Sequence, residues 1–257
     1  MPESVINNEI YHDLGHRWYT AKDDPVALLR AEAKTKNPWV KNLIERKMPH
    51  LSPDQVRILD IGCGAGFLTN SLVQEGYKVT GLDTSVESMN IAREYDGLKK
   101  VDYVAGDAYK LPFPESSFEV VTCMDFLEHV EDPERVIREA SRVLSPRGIF
   151  VFHTFNRNWL SGLVIIKGVE WFVKNTPPNL HVLDLFLKPE EVEASCRKHG
   201  LKPQEMVGIA PDLRKTAFWK MLLTREVPDD FSFRINGSTR LAYLGHAVKN
   251  QGKRKRN

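Results

Sequence analysis

Asp60-Ile-Gly62-Cys-Gly64-Ala-Gly66 is the densest cluster of ligand-binding signals in the 257-residue chain. Glycines let backbone approach a ligand closely, and a helix that begins just after them offers N–H groups with no intrahelical partner. Taken alone, such a run also suits a tight structural turn. Asp83 adds a second signal. It closes the apolar run Lys78-Val-Thr-Gly-Leu-Asp83, where a strand-end carboxylate accepts hydrogen bonds from both hydroxyls of a ribose. The glycines stand at 62, 64 and 66, not in the G-x-G-x-x-G spacing that seats a dinucleotide pyrophosphate on a helix N-terminus. Asp60 would repel a phosphate. S-adenosylmethionine (SAM) carries none and presents an ammonium and a sulfonium, so the acidic residue favours SAM over a dinucleotide.

Asp125-Phe-Leu-Glu128-His129 is the other cluster able to do chemistry. It follows an apolar run at the carboxyl edge expected of a parallel sheet, where ligands bind. Residues i, i+3 and i+4 share one face of a helical turn, so two carboxylates and an imidazole would converge there. An oxygen-rich set with one imidazole suits Mg2+ or Mn2+ better than structural Zn2+. Two other readings fit the same residues: His129 as a general base without a metal, or as plain pocket lining. His153, His181 and His199 have no partner at metal-ligand spacing and read as pocket-edge or surface residues. Cys63, Cys123 and Cys196 lie far apart, which argues against a zinc site or a disulfide framework and suits a reducing compartment. No G-x-S-x-G nucleophile motif is present.

Short β-type runs alternate with helical runs around these groups. Strands are expected over 57–62, 78–83, 101–105, 118–122 and 148–153, then near 205–209 and 240–248. Helices fall at 67–75, at 85–95 with Thr84 or Ser85 as N-cap, at 134–144 after Pro133, and at 189–200 with Gly200 as C-cap. This rhythm predicts an α/β, Rossmann-like fold, a seven-stranded, mostly parallel sheet with helices on both faces. Residues 1–56 read as a helical N-terminal extension covering the site, 57–248 as the catalytic domain with an insertion at 156–188, and 249–257 as a basic tail.

Within that insertion, Lys167, Glu170 and Lys174 form one charged stripe along 157–177, and nearly everything else is apolar, including Trp159, Trp171 and Phe172. The segment is too short and too charged to span a bilayer. It reads either as a buried helix over the site or a dimer contact, or as a peripheral membrane contact with its tryptophans at headgroup level. Elsewhere 42% hydrophobic and 27% charged residues are ordinary, and a net charge of +2 provides no global field for nucleic acid. The tail Lys249–Asn257 suits a solvated segment. The first residues lack the basic and apolar regions of a signal peptide, so the expected compartment is the cytoplasm, with peripheral association on the inner face of a membrane.

Ile58-Leu-Asp-Ile-Gly-Cys-Gly-Ala-Gly66, Val79-Thr-Gly-Leu-Asp83 and Gly106-Asp107-Ala108 resemble the three cofactor motifs of class I SAM-dependent methyltransferases. The resemblance implies that the Gly62 region lies under the methionine end of SAM and that Asp83 holds the ribose. It places Asp107 and Ala108 toward the adenine and Met124 along the cofactor. Val120–Pro133, Thr154–Asn158 and Arg17-Trp18-Tyr19 are similar to the ubiquinone-biosynthesis O-methyltransferases, over roughly residues 15 to 250. That resemblance implies methylation of a phenolic hydroxyl on a polyprenylated catechol, a lipid-soluble acceptor. Related enzymes carry Glu-x-x-Glu-His at 125–129 and are metal-dependent; this chain has Asp125 in first place. Val40 stands where an arginine near the methionine carboxylate is expected, leaving Arg30, Lys36 and Lys41 as substitutes, and residues 212–240 match poorly. A methyltransferase for another small acceptor, or a non-catalytic SAM-binding subunit, are the alternatives.

Overall fold

In a computed structural model of the chain, which describes residues 10–177 and 179–251, three helices precede the sheet: α1 (Ile10–Asp13), α2 (Arg17–Thr20) and α3 (Pro25–Lys47). Then follow β1 (Arg57–Ile61), α4 (Thr69–Gln74), β2 (Lys78–Asp83), α5 (Val86–Tyr95), β3 (Asp102–Ala105), β4 (Phe118–Met124), α6 (Pro133–Val143) and β5 (Leu144–Phe155). The insertion is a helical stretch, α7 (Trp159–Ser161) and α8 (Gly168–Phe172), joined by a π-helical turn over Gly162–Lys167. The chain closes with α9 (Pro189–Lys198), β6 (Leu201–Pro211), α10 (Thr216–Thr224), β7 (Phe233–Asn236) and β8 (Ala242–Lys249).

Local chemistry sets the helix starts. Ser85 accepts a hydrogen bond from the Ser88 N–H at 3.1 Å, and Asp132 accepts one from Arg135 at 3.0 Å with Pro133 in the first helical position. Asn158 caps α7 by accepting from the Leu160 and Ser161 amides, each at 3.0 Å.

The strands lie in the order β3-β2-β1-β4-β5-β8-β6-β7. From β3 to β5 all neighbours are parallel, whereas β8 runs antiparallel to β5 and β6. The described sheet therefore has eight strands, not seven. The extra one, β7, pairs only with β6, from Gly208 opposite Asn236 to Pro211 opposite Phe233. Its four residues, Phe-Arg-Ile-Asn, are too few to show an alternation in sequence, and the edge of β6 recruits them.

Both faces of the central strands are covered, so they read as continuous apolar runs. On one face α3 and α4 supply Val40, Leu43, Ile44, Leu72 and Val73; on the other α6 and α9 supply Val136, Ile137, Ala140, Val192 and Cys196. The order reverses at β1, flanked by β2 and β4. A crevice opens beyond the carboxyl ends of strands at such a switch point, and the ends of β1, β2 and β4 carry the residues singled out above. Residues 252–257 of the basic tail lie outside the described residues.

Candidate active site

β1 ends at Ile61 and hands over to Gly62, Gly64 and Gly66, all with positive φ (72°, 48° and 82°). A side chain at Gly62 would put its Cβ 2.2 Å from the Phe126 ring, and one at Gly66 would meet the Tyr103 hydroxyl at 2.5 Å. The loop is therefore closed to side chains by packing as well as by backbone conformation. Asp83, at the end of β2, ties it down: its Oδ2 accepts from the Gly64 N–H at 2.8 Å and its Oδ1 from the Ser85 N–H at 2.9 Å.

A cavity of about 170 Å³ lies over this loop, lined by Asp60, Gly62, Gly64, Asp83, Met124, Asp125 and His129 among the residues expected from sequence. Gly66 is not in its wall and shapes the turn. Asp107 stays exposed, its Oδ1 accepting from the Tyr109 N–H at 2.7 Å, and Ala108 is buried in the core. The N-terminal helices complete the cavity with Tyr11, Trp18, Leu29, Ala33, Lys36 and Asn37. Burial pushes the Asp60 carboxyl up to about 7, although Thr122 donates to its Oδ1 at 2.6 Å.

A second cavity, of about 420 Å³, lies beyond. Its walls are apolar: Val26 and Leu29 of α3, Val169 and Phe172 of the insertion, Met221 and Leu222 of α10. Its polar floor is Glu32, Asp125, Glu128, His129 and His181. Tyr11, Leu29, Asp125 and His129 line both cavities, so any group passing between them passes these four.

Register places the floor. Met124 of β4 pairs with His153 of β5, and the Asp125 N–H donates to the His153 carbonyl at 3.2 Å. Asp125 then takes φ +54°, a left-handed conformation uncommon outside glycine. Its Oδ1 accepts from His153 Nδ1–H at 2.6 Å, and its Oδ2 from the Lys36 ammonium, which also donates to Glu32 Oε2 at 3.0 Å. Burial opposes its charge, yet Lys36 and His153 hold Asp125 well below the usual carboxylate range. His153 is fully buried. The pocket-edge or surface position expected for it is therefore wrong: both faces of β5 are covered there, and this side chain lies under α3 with its Nε2 3.6 Å from Glu32 Oε1.

Glu128 accepts from Thr154 Oγ1 at 2.7 Å, while its Oε1 is buried without a hydrogen-bond partner. Burial, with Asp125 adding to it, lifts Glu128 to about 7. Burial lowers His129 to about 4, against the pull of Asp125, so the imidazole is neutral at neutral pH. His181 lies with its ring 5.7 Å from that of His129 and is lowered to about 3 by burial.

Asp125, Glu128 and His129 do not fit a divalent cation as they stand. Both Asp125 oxygens are engaged, and Glu128 turns to Thr154. Among the described residues, the metal-ligating atoms that come within 4.8 Å of one another belong instead to Glu32, Asp125 and His153. Lys36 already contacts both of those carboxylates. Of the expected substitutes for the missing arginine, only Lys36 lines the cavity over the glycine loop. Arg30 donates to the Trp18 and Ala21 carbonyls, and Lys41 pairs with Glu45.

Residues 59–152 match the family model for a methyltransferase domain. The ubiquinone biosynthesis O-methyltransferase of Thiobacillus denitrificans is 34% identical over 203 residues, covering 77% of this chain and 84% of that protein. The chain belongs to this methyltransferase family. The family member from Bordetella bronchiseptica is 42% identical over 157 residues, 60% of this chain and 65% of its own length, just under two thirds. Among solved structures, a possible histamine N-methyltransferase from Thermotoga maritima aligns with a TM-score of 0.59 at 22% identity, covering 91% of this chain and 94% of that one. Magnesium protoporphyrin IX methyltransferase from Synechocystis, solved with bound S-adenosylhomocysteine, aligns at 0.55 and 16% identity over 84% of each chain. At such identities the likeness shows the shared fold. The cavity over the glycine loop is the candidate pocket for SAM.

Proposed function

We propose that the chain transfers the SAM methyl group to a phenolic hydroxyl of a prenylated catechol, a lipid-soluble quinone precursor. The observation that carries this reading is the meeting of the cavity over the glycine loop and a larger, more apolar cavity at Asp125 and His129. A soluble phenol would leave most of 420 Å³ of apolar space unfilled; a prenyl tail fills it and repays its burial.

A free phenol has a pKa of about 10, so its nucleophilic phenolate is scarce at neutral pH. Neutral His129 accepts the phenol proton while the oxygen attacks the methyl carbon in line with the sulfonium. The O–CH3 bond forms, the S–CH3 bond breaks with its electron pair going to sulfur, and S-adenosylhomocysteine leaves as a thioether. The second catechol hydroxyl donates to the unpartnered Oε1 of Glu128, which fixes which oxygen is methylated. Asp60 pairs with the methionine ammonium, and Asp83 accepts from the ribose.

The lipid-facing part of the reading rests on the insertion. Leu163, Val164 and Trp171 line the acceptor cavity yet are 39–57% exposed, and neighbouring Trp159 is 76% exposed. One helix thus walls the cavity and offers aromatic surface to a membrane interface. Among the described residues no helix is long and apolar enough to cross a membrane. The test is transfer of labelled methyl from SAM to a short-chain prenylated catechol. An aryl methyl ether is expected; SAM binding with no transfer to any catechol would contradict the acceptor.

A further inference from the structure

We propose that the Lys36 ammonium is the resident cation of this active site and takes the place beside Asp125 that a divalent metal would occupy. The proposal rests on the catechol reading for its kinetic arm and is independent of it for its binding arm. Lys36 and Glu32 lie one turn apart on α3, and both are at most 5% exposed. They face Asp125 and His153 across the sheet's carboxyl edge. Two carboxylates, one ammonium and one imidazole close on one another there, with Lys36 Nζ contacting both carboxylates.

A buried carboxylate needs a counter-charge, and removing one partner leaves the other at high cost. A metal at Asp125 would have to displace a buried ammonium that contacts both carboxylates. The Glu32, Asp125 and His153 donors, close enough to hold an ion, are held by Lys36 instead. Its charge survives because the carboxylates outweigh the burial that opposes it. Lys36 is a positioning residue. It pins Asp125 in its left-handed conformation, and the Asp125 charge in turn favours the imidazolium that His129 becomes on accepting the phenol proton.

The test uses the full chain with Mn2+ alone, read by electron paramagnetic resonance, alongside methyl transfer to a prenylated catechol in EDTA or Mg2+. Wild type should leave the aqueous Mn2+ signal unchanged and turn over equally in EDTA and Mg2+. Lys36→Met exposes two carboxylates and should gain Mn2+ binding that a further Asp125→Asn change removes. Glu32→Gln with Lys36→Met, which keeps the charge balanced, should keep the wild-type circular dichroism, ignore Mn2+ and lose roughly 100-fold in transfer rate. Lys36→Arg should recover part of it. Mn2+ bound by wild type and lost on Asp125→Asn, or turnover abolished by EDTA and restored by Mg2+, would overturn the proposal. If no catechol is methylated, the acceptor reading fails while the Mn2+ arm still decides the role of Lys36.

Discussion

In the proposed function Asp83 serves binding and His129 serves chemistry, and each can be tested alone. Asp83→Ala removes the acceptor for the Gly64 and Ser85 amides along with the proposed ribose contact. Charge-assisted hydrogen bonds are worth about 1.5–3 kcal/mol each, so SAM affinity should fall about 100-fold in calorimetry. An unchanged Kd would remove the cofactor assignment. His129→Gln should lower kcat by roughly 10²- to 10⁴-fold with SAM affinity unchanged. A rate close to wild type would mean that His129 only lines the cavity. Asp60 gives a pH signature. With its pKa raised to about 7 by burial, it is protonated below that value and cannot pair with the methionine ammonium. SAM affinity should therefore fall as pH drops below about 7, by up to about tenfold per pH unit, and Asp60→Asn should flatten the profile. A profile flat in both proteins would show that Asp60 does not meet the ammonium.

At the scale of elements, α3 and α10 wall the proposed acceptor site. Leu29, Ala33 and Lys36 of α3 reach the cofactor cavity, while Val26, Leu29 and Glu32 reach the apolar one. α10 packs on α3 through Ala217 and Met221 and forms the far wall of the apolar cavity. Met221→Trp should fill part of that cavity and raise KM for a prenylated catechol at least about tenfold, while a tailless catechol is turned over as before. Equal effects on both substrates would place the tail elsewhere. These elements were unevenly legible in the sequence. β1, β2 and β4, with the loops that follow them, could be read because an apolar strand running into a glycine turn is a local pattern. α10 and β7 could not, since each is short and owes its form to α3 and β6. The Lys36–Asp125–His153 group was equally hidden. Its members lie 89 and 28 residues from Asp125 and meet only through strand register and the seating of α3. The spacing rule that grouped Asp125, Glu128 and His129 assumes one continuous helix. The chain instead leaves β4 with a left-handed Asp125, and only Leu127–His129 form a 3-10 turn, so the three line one cavity without sharing a continuous helical face.

At the scale of the whole molecule, two cavities join at one wall, and the larger one opens beneath an exposed apolar surface. Trp159, Trp219 and Leu223 are 58–87% exposed and belong to the insertion and to α10. Trp159→Ala with Trp219→Ala should weaken binding to phospholipid vesicles in flotation without changing turnover of a water-soluble catechol. Equal flotation of both proteins would assign this surface to a different contact. The central claim, that the apolar cavity serves the acceptor's tail, is tested most directly by kcat/KM for a catechol bearing one isoprene unit against the same ring without it. Burying about 100 Å² of tail is worth about 2.5 kcal/mol, so the prenylated ring should be favoured by roughly 50-fold or more. Equal values for the two rings would contradict the account.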